Sequence, residues 1–104
     1  MNVKLEEGAL RFRISDKELD YLLQGTGLSL ELNIAGRKLS AFIVPDDSAA
    51  GLFPLYSQDN IQLLVSPEKI RELESLGRSR EGVSRECEGV LVSLQVDFRT
   101  QKKG

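Results

Sequence analysis

Arg11 and Arg13 stand two residues apart in a segment that alternates apolar and charged side chains, so both guanidinium groups fall on one face. Each is a planar fork of donors that matches a phosphate or a carboxylate. With Lys4, and with Arg99 near the other end of the chain, they form a candidate contact for an anion or for a partner. The competing view is a solvated sheet face on which the arginines pair across strands with Glu6, Glu31 or Asp97. The sequence favours this second view, because neither a glycine-rich phosphate loop nor an aromatic stacking platform accompanies the arginines.

Other candidate chemistry is thinner. The chain has no histidine, which removes the commonest general base, the commonest metal ligand and any Ser–His or Cys–His nucleophile pair. Its single cysteine, Cys87, lies between Glu86 and Glu88, whose charges work against a thiolate, and reads as a free loop thiol. One cysteine also excludes an internal disulfide and a cysteine-based zinc site within one chain. The acidic pairs Glu6-Glu7 and Asp46-Asp47 lack calcium-loop spacing. Adjacent carboxylates on a strand point to opposite faces, and at a turn they are usually just solvated. No catalytic residue, metal-ligand set or cofactor-binding residue is therefore assigned.

The elements that must position these residues follow from periodicity. At 104 residues, with 40% apolar and 29% charged residues, the chain has the size and composition of a single globular domain spanning 1–104. Its net charge of −2 argues against a nucleic-acid partner. The sequence has no apolar run of signal-peptide length and no segment suited to crossing a bilayer, so a cytoplasmic location is expected.

A hairpin opens the chain, with Val3 and Leu5 leading through Glu7-Gly8 to Leu10, Phe12 and Ile14. At Ser15 the period changes. Ser15 and Glu18 make a capping box, Ile14 and Leu19 have staple spacing, Leu19, Leu22 and Leu23 form an apolar stripe, and Gly25 stops the helix. Strands follow at Leu28–Ile34 and Arg37–Val44, joined by Ala35-Gly36 and ended by Pro45-Asp46-Asp47. Ile61–Val65 is a further strand. Ser66 caps a second helix with Pro67 at its first position, Ile70, Leu73 and Leu76 as its buried stripe, and Gly77 as its stop. The charged segment Arg78–Gly89 reads as a solvated connection, and a last strand alternates from Val90 to Phe98.

The fold class expected from this order, β-β-α-β-β-β-α-β, is α+β: a mainly antiparallel sheet of about six strands with two short helices packed on one face. Phe42, Val44, Leu64 and Leu91 break the polar pattern of the other face. Either the apolar connector Ser48–Asp59 folds over them or a second copy does. The connector is preferred, which requires Phe53 and Tyr56 to be largely buried. Two passages, LRFRISDKELDYLLQG and IQLLVSPEKIRELESLG, share the order strand, serine cap, stapled helix, glycine stop. An internal repeat with a site between its halves would explain this. So would convergence of strand-to-helix junctions on one grammar, which is favoured because few identities are shared.

LRFRISDKEL, IQLLVSPEKI and LVSLQVDF together resemble a functionally uncharacterised family of small bacterial proteins, over most of the chain. The resemblance picks out Arg11, Arg13, Glu18, Asp97 and Phe98. It implies this α+β fold and a bacterial origin, and it carries no activity. Gln95-Val96 and Arg99-Thr100 depart from the family pattern. The functional expectation is a non-catalytic protein-binding or regulatory module engaging another protein or itself, through the wet sheet face or the charged Arg78–Gly89 segment. The alternative is a small anion-binding protein or weak hydrolase using Arg11, Arg13 and Arg99.

Overall fold

The computed structural model describes residues 1–48, 51–76 and 82–97. Its elements are β1 (Asn2–Glu6), β2 (Ala9–Ser15), α1 (Asp16–Leu23), β3 (Leu28–Ile34), β4 (Arg37–Pro45), β5 (Leu52–Tyr56), β6 (Asn60–Val65), α2 (Pro67–Leu76), β7 (Val83–Cys87) and β8 (Val90–Asp97).

Both serine junctions form. The Ser15 hydroxyl accepts the Glu18 N–H at 3.1 Å, and the Glu18 carboxylate accepts the Ser15 N–H at 2.9 Å, completing the capping box. Ser66 Oγ accepts the Lys69 N–H at 3.2 Å. Lysine at that position has no acceptor to offer in return, and the Ser66 N–H donates instead to the Gly51 carbonyl at 2.9 Å. Ile14 and Leu19 are buried, as are Val65 and Ile70, so both staple pairs lie in the core. Gly25 takes φ 88° just past α1, as a left-handed stop requires. Gly77, the expected stop of α2, lies outside the described residues.

The single sheet of about six antiparallel strands does not form. Eight strands make two mixed sheets of four: sheet I in the order β1-β2-β8-β7 and sheet II in the order β3-β4-β6-β5. The central pairs, β2 with β8 and β4 with β6, are parallel, and their neighbours are antiparallel. Two strands escaped the periodicity reading. β5 lies inside the expected connector Ser48–Asp59 and is a strand despite Pro54, because proline is tolerated on an edge strand. β7, VSREC, lies inside the segment expected as a solvated connection; Val83 is its one buried residue, while Ser84 and Glu86 face outward. Nor do the helices lie on one face of one sheet: α1 touches α2, β2, β3 and β8, and α2 touches β7.

The inward residues of both sheets and both helices form one core, including Phe12, Ile14, Leu22, Ile43, Leu63, Leu73, Val92 and Leu94. The order of the strands has a pseudo-two-fold symmetry. β1-β2-α1-β3-β4 and β5-β6-α2-β7-β8 are two copies of one unit, and each sheet takes one hairpin from each copy. The registers agree. Phe12 pairs with Leu94 as Leu63 pairs with Ile43, and Ile14 pairs with Val96 as Val65 pairs with Pro45. Even the turns match, with φ 52° and 81° at Ala35-Gly36 and 52° and 85° at Glu88-Gly89. Shared strand-to-helix grammar alone does not produce matched pairings at both ends of the chain, so the repeat is a property of the whole topology.

Candidate interaction surface

The outer face of sheet I carries the expected arginines. Register places Arg11 beside Lys4 and Ser93, and Arg13 beside Asn2 and Gln95. Glu6 Oε1 lies 3.4 Å from Arg11 Nε and Glu6 Oε2 lies 3.4 Å from Lys4 Nζ, so one carboxylate already draws two of the cations. All three side chains are exposed, where such pairs contribute little to stability. Arg11 and Arg13 are thus brought together, as expected, on an open solvated face. Arg99 and Phe98 lie outside the described residues.

The remaining polar candidates have structural partners. Asp46 accepts both the N–H and the hydroxyl of Ser48, at 2.9 and 2.7 Å; these bonds hold its carboxyl below the usual range and close the turn after β4. Cys87 ends a strand rather than sitting in a loop. Its thiol and the Arg85 guanidinium both approach the Leu52 carbonyl, at 3.8 and 3.2 Å, tying β7 to β5 across the two sheets. Slight desolvation, then the nearby Cys87 and Glu88, push the Tyr56 phenol upward. Among the described residues no group of three or more Asp, Glu or Cys could hold a metal ion, and no helix is long and apolar enough to cross a membrane.

The distinctive surface is the outer face of sheet II. Phe53, Leu64 and Val44 lie in one cross-strand row, and Leu55, Gln62 and Phe42 in the next. Phe53 is 43% exposed and Leu55 41%, while Phe42, Val44 and Leu64 are half-buried. The connector does not cover them. Phe53 remains exposed and Tyr56 is 59% exposed, because Leu52–Tyr56 joins the sheet as an edge strand and turns only Leu52 and Pro54 inward. Leu91, grouped with these residues in the sequence, sits on the other sheet beside Ala9 and Glu86. Phe53 and Leu55 stand in LFPLY, whose apolar residues at every position fit a strand with two apolar faces as well as a packed loop.

Pseudo-symmetry supplies an internal comparison. The positions equivalent to Phe53, Leu55, Leu64, Phe42 and Val44 are Asn2, Lys4, Arg13, Ser93 and Gln95, and Gln62 corresponds to Arg11. On equivalent backbone, the sheet I face is polar at all six positions and the sheet II face is apolar at five. No protein-family model matches the chain, and no curated protein matches it.

Proposed function

We propose that this chain is a non-catalytic, cytoplasmic protein-binding module whose contact face is the outer surface of sheet II. The observation that carries the reading is the contrast at equivalent positions. The same backbone geometry carries polar residues at all six equivalent positions of sheet I, so folding does not demand Phe, Leu and Val at those of sheet II. Clustered large apolar side chains left in water are unfavourable, and such patches mark contact sites. The patch covers β4, β6 and β5. Three strands about 4.8 Å apart make a strip about 10 Å wide, which suits one apolar side of a partner helix about 10 Å across. An anion-gripping role for Arg11 and Arg13 has less support, since Glu6 already engages Arg11. The resemblance to an uncharacterised bacterial family is consistent with such a module and adds no activity.

A photo-crosslinking residue placed at Phe53, with the same residue at Arg11 as control, tests the face in living cells. Discrete adducts to another protein from position 53 and none from position 11 are expected. Equal yields from the two positions, or none from either, would refute the proposal. Adducts to a second copy alone would replace the foreign partner with a homodimer.

A further inference from the structure

Each sheet has two edges, and three of the four edges are protected. β1 is short and carries Lys4 and Glu6, which keep an edge solvated. β5 contains Pro54, which cannot donate to a neighbour. β5 and β7 also lie against each other, with Arg85 reaching the Leu52 carbonyl.

β3 differs. It has seven residues, LSLELNI, with no proline and one charge. Its two-residue turn Ala35-Gly36 makes Ile34 and Arg37 the closing hydrogen-bonded pair. Bonding alternates along an antiparallel ladder, so Leu32, Leu30 and Leu28 face β4 with their backbone groups. Ser29, Glu31 and Asn33 therefore turn N–H and C=O toward the open edge. Among the described residues no further strand pairs with β3. Leu28, Leu30 and Leu32 are half-buried at the lip of the core, where another strand's alternate side chains would complete their cover.

The occupant is constrained by Glu31, which is exposed and forms no ion pair within 4 Å among the described residues. A second copy using all three edge residues would place Ser29 opposite Asn33 and Glu31 opposite Glu31. Like charges directly opposite are destabilising, and a charge in mid-edge is a known guard against self-pairing. Sliding the copies by two residues separates the carboxylates but loses one of the three bonding pairs. We propose that the β3 edge accepts an extended segment of a partner protein by strand addition, with apolar residues facing Leu30 and Leu32 and a Lys or Arg opposite Glu31. The inference builds on reading the chain as protein-binding but uses the edge rather than the face. Loss of either surface is therefore measurable without the other.

The test uses the full chain and two capped peptides, acetyl-Thr-Val-Lys-Val-Thr-amide and its counterpart with Glu in place of Lys. Amide exchange and amide chemical shifts are read by NMR. At ten times its dissociation constant the Lys peptide slows exchange about tenfold at Ser29, Glu31 and Asn33, and spares the amides of Val3 and Leu5 on the β1 edge. The Glu peptide binds roughly threefold to tenfold more weakly, and Glu31→Lys inverts that order. Glu31→Thr, with the guard removed, gives a larger dimer fraction in sedimentation equilibrium than the wild type. Perturbation centred elsewhere, an unchanged peptide preference in Glu31→Lys, or no response to millimolar peptide would overturn the proposal.

Discussion

Giving sheet II the edge chemistry of sheet I separates a docking face from a piece of core. The double substitution Phe53→Asn and Leu55→Lys installs the residues that stand at the equivalent positions, Asn2 and Lys4. Full burial of such a side chain contributes about 1.5–3 kcal/mol. Phe53 and Leu55 keep 43% and 41% of their surface in water, so each retains roughly half of that contribution. The pair should then cost about 2 kcal/mol of folding stability, with a few tenths more from the weaker strand preference of Asn and Lys. A change of that size lowers the melting temperature of a domain this long by about 10 °C.

Urea unfolding should show a lower midpoint with an unchanged slope, meaning the same surface is exposed on unfolding. Fluorescence of an anilinonaphthalene sulfonate dye on the native protein should fall, as should partner crosslinking from a probe at Leu64. Two results would refute the reasoning. A loss above about 5 kcal/mol, or failure to fold, would show these side chains to be core. A variant that keeps both dye fluorescence and crosslinks would show that the face is not the contact. The mirror variant, Asn2→Phe with Lys4→Leu, should gain dye binding on sheet I, because the two backbones are equivalent.

Two further predictions probe the frame that holds these faces. Gly82 and Gly27 are equivalent, each abutting a carbonyl of the neighbouring central strand. A Cβ at Gly82 would overlap the Leu94 carbonyl and the Gln95 backbone at φ 64°, whereas at Gly27 it would lie 3.1 Å from the Ile43 carbonyl. Gly82→Ala should therefore cost about 3 kcal/mol, from left-handed strain plus backbone displacement, and Gly27→Ala less than about 1 kcal/mol; equal midpoints in urea would contradict the geometry. Glu18 provides the pH dependence. Burial raises its carboxyl, but the N-terminal ammonium at 2.9 Å and the Ser15 N–H and hydroxyl outweigh this and hold it below its ordinary value of 4.5. A depressed folded value means stability is complete above pH 4.5 and is lost as pH falls through the lower folded value. Glu18→Gln has no charge to titrate there and should flatten that loss. Calorimetry between pH 3 and 7 would contradict this if wild type and variant fell in parallel.

The sequence was most legible where folding is local. Ser15 and Ser66 announce their helices because the capping atoms, the staple and the change of period all lie within a few residues. Glu7-Gly8 and Ala35-Gly36 announce hairpins for the same reason. What could not be read was which strands share a sheet. Ala9–Ser15 runs parallel to Leu91–Asp97, nearly the length of the chain away, and alternation is the same whichever partner a strand takes. The lid expectation failed on a similar ambiguity. LFPLY is apolar at every position, which fits a packed loop as well as an edge strand with one face on the core and one face outward.

The repeat did leave a trace that comparing the two helix junctions did not reach. Gly27-Leu28-Ser29-Leu30-Glu31 and Gly82-Val83-Ser84-Arg85-Glu86 share glycine, serine and glutamate in the same places, because each glycine must pass the same carbonyl and each serine and glutamate faces outward on an edge strand. The difference at the fourth residue is then informative. Arg85 is spent on the Leu52 carbonyl, closing the β5–β7 side of the sandwich, while Leu30 at the equivalent place makes no such bond and stays at the lip of the core. The two halves thus diverge in two places: the outer face of sheet II has become apolar, and the β3 edge has been left unsealed. Both lie on the same sheet, so a partner helix across the face and a partner strand along the edge could be parts of one molecule. Crosslinks from Phe53 and from Glu31 that converge on a single protein would join the two surfaces into one interface, and crosslinks to different proteins would divide them into two.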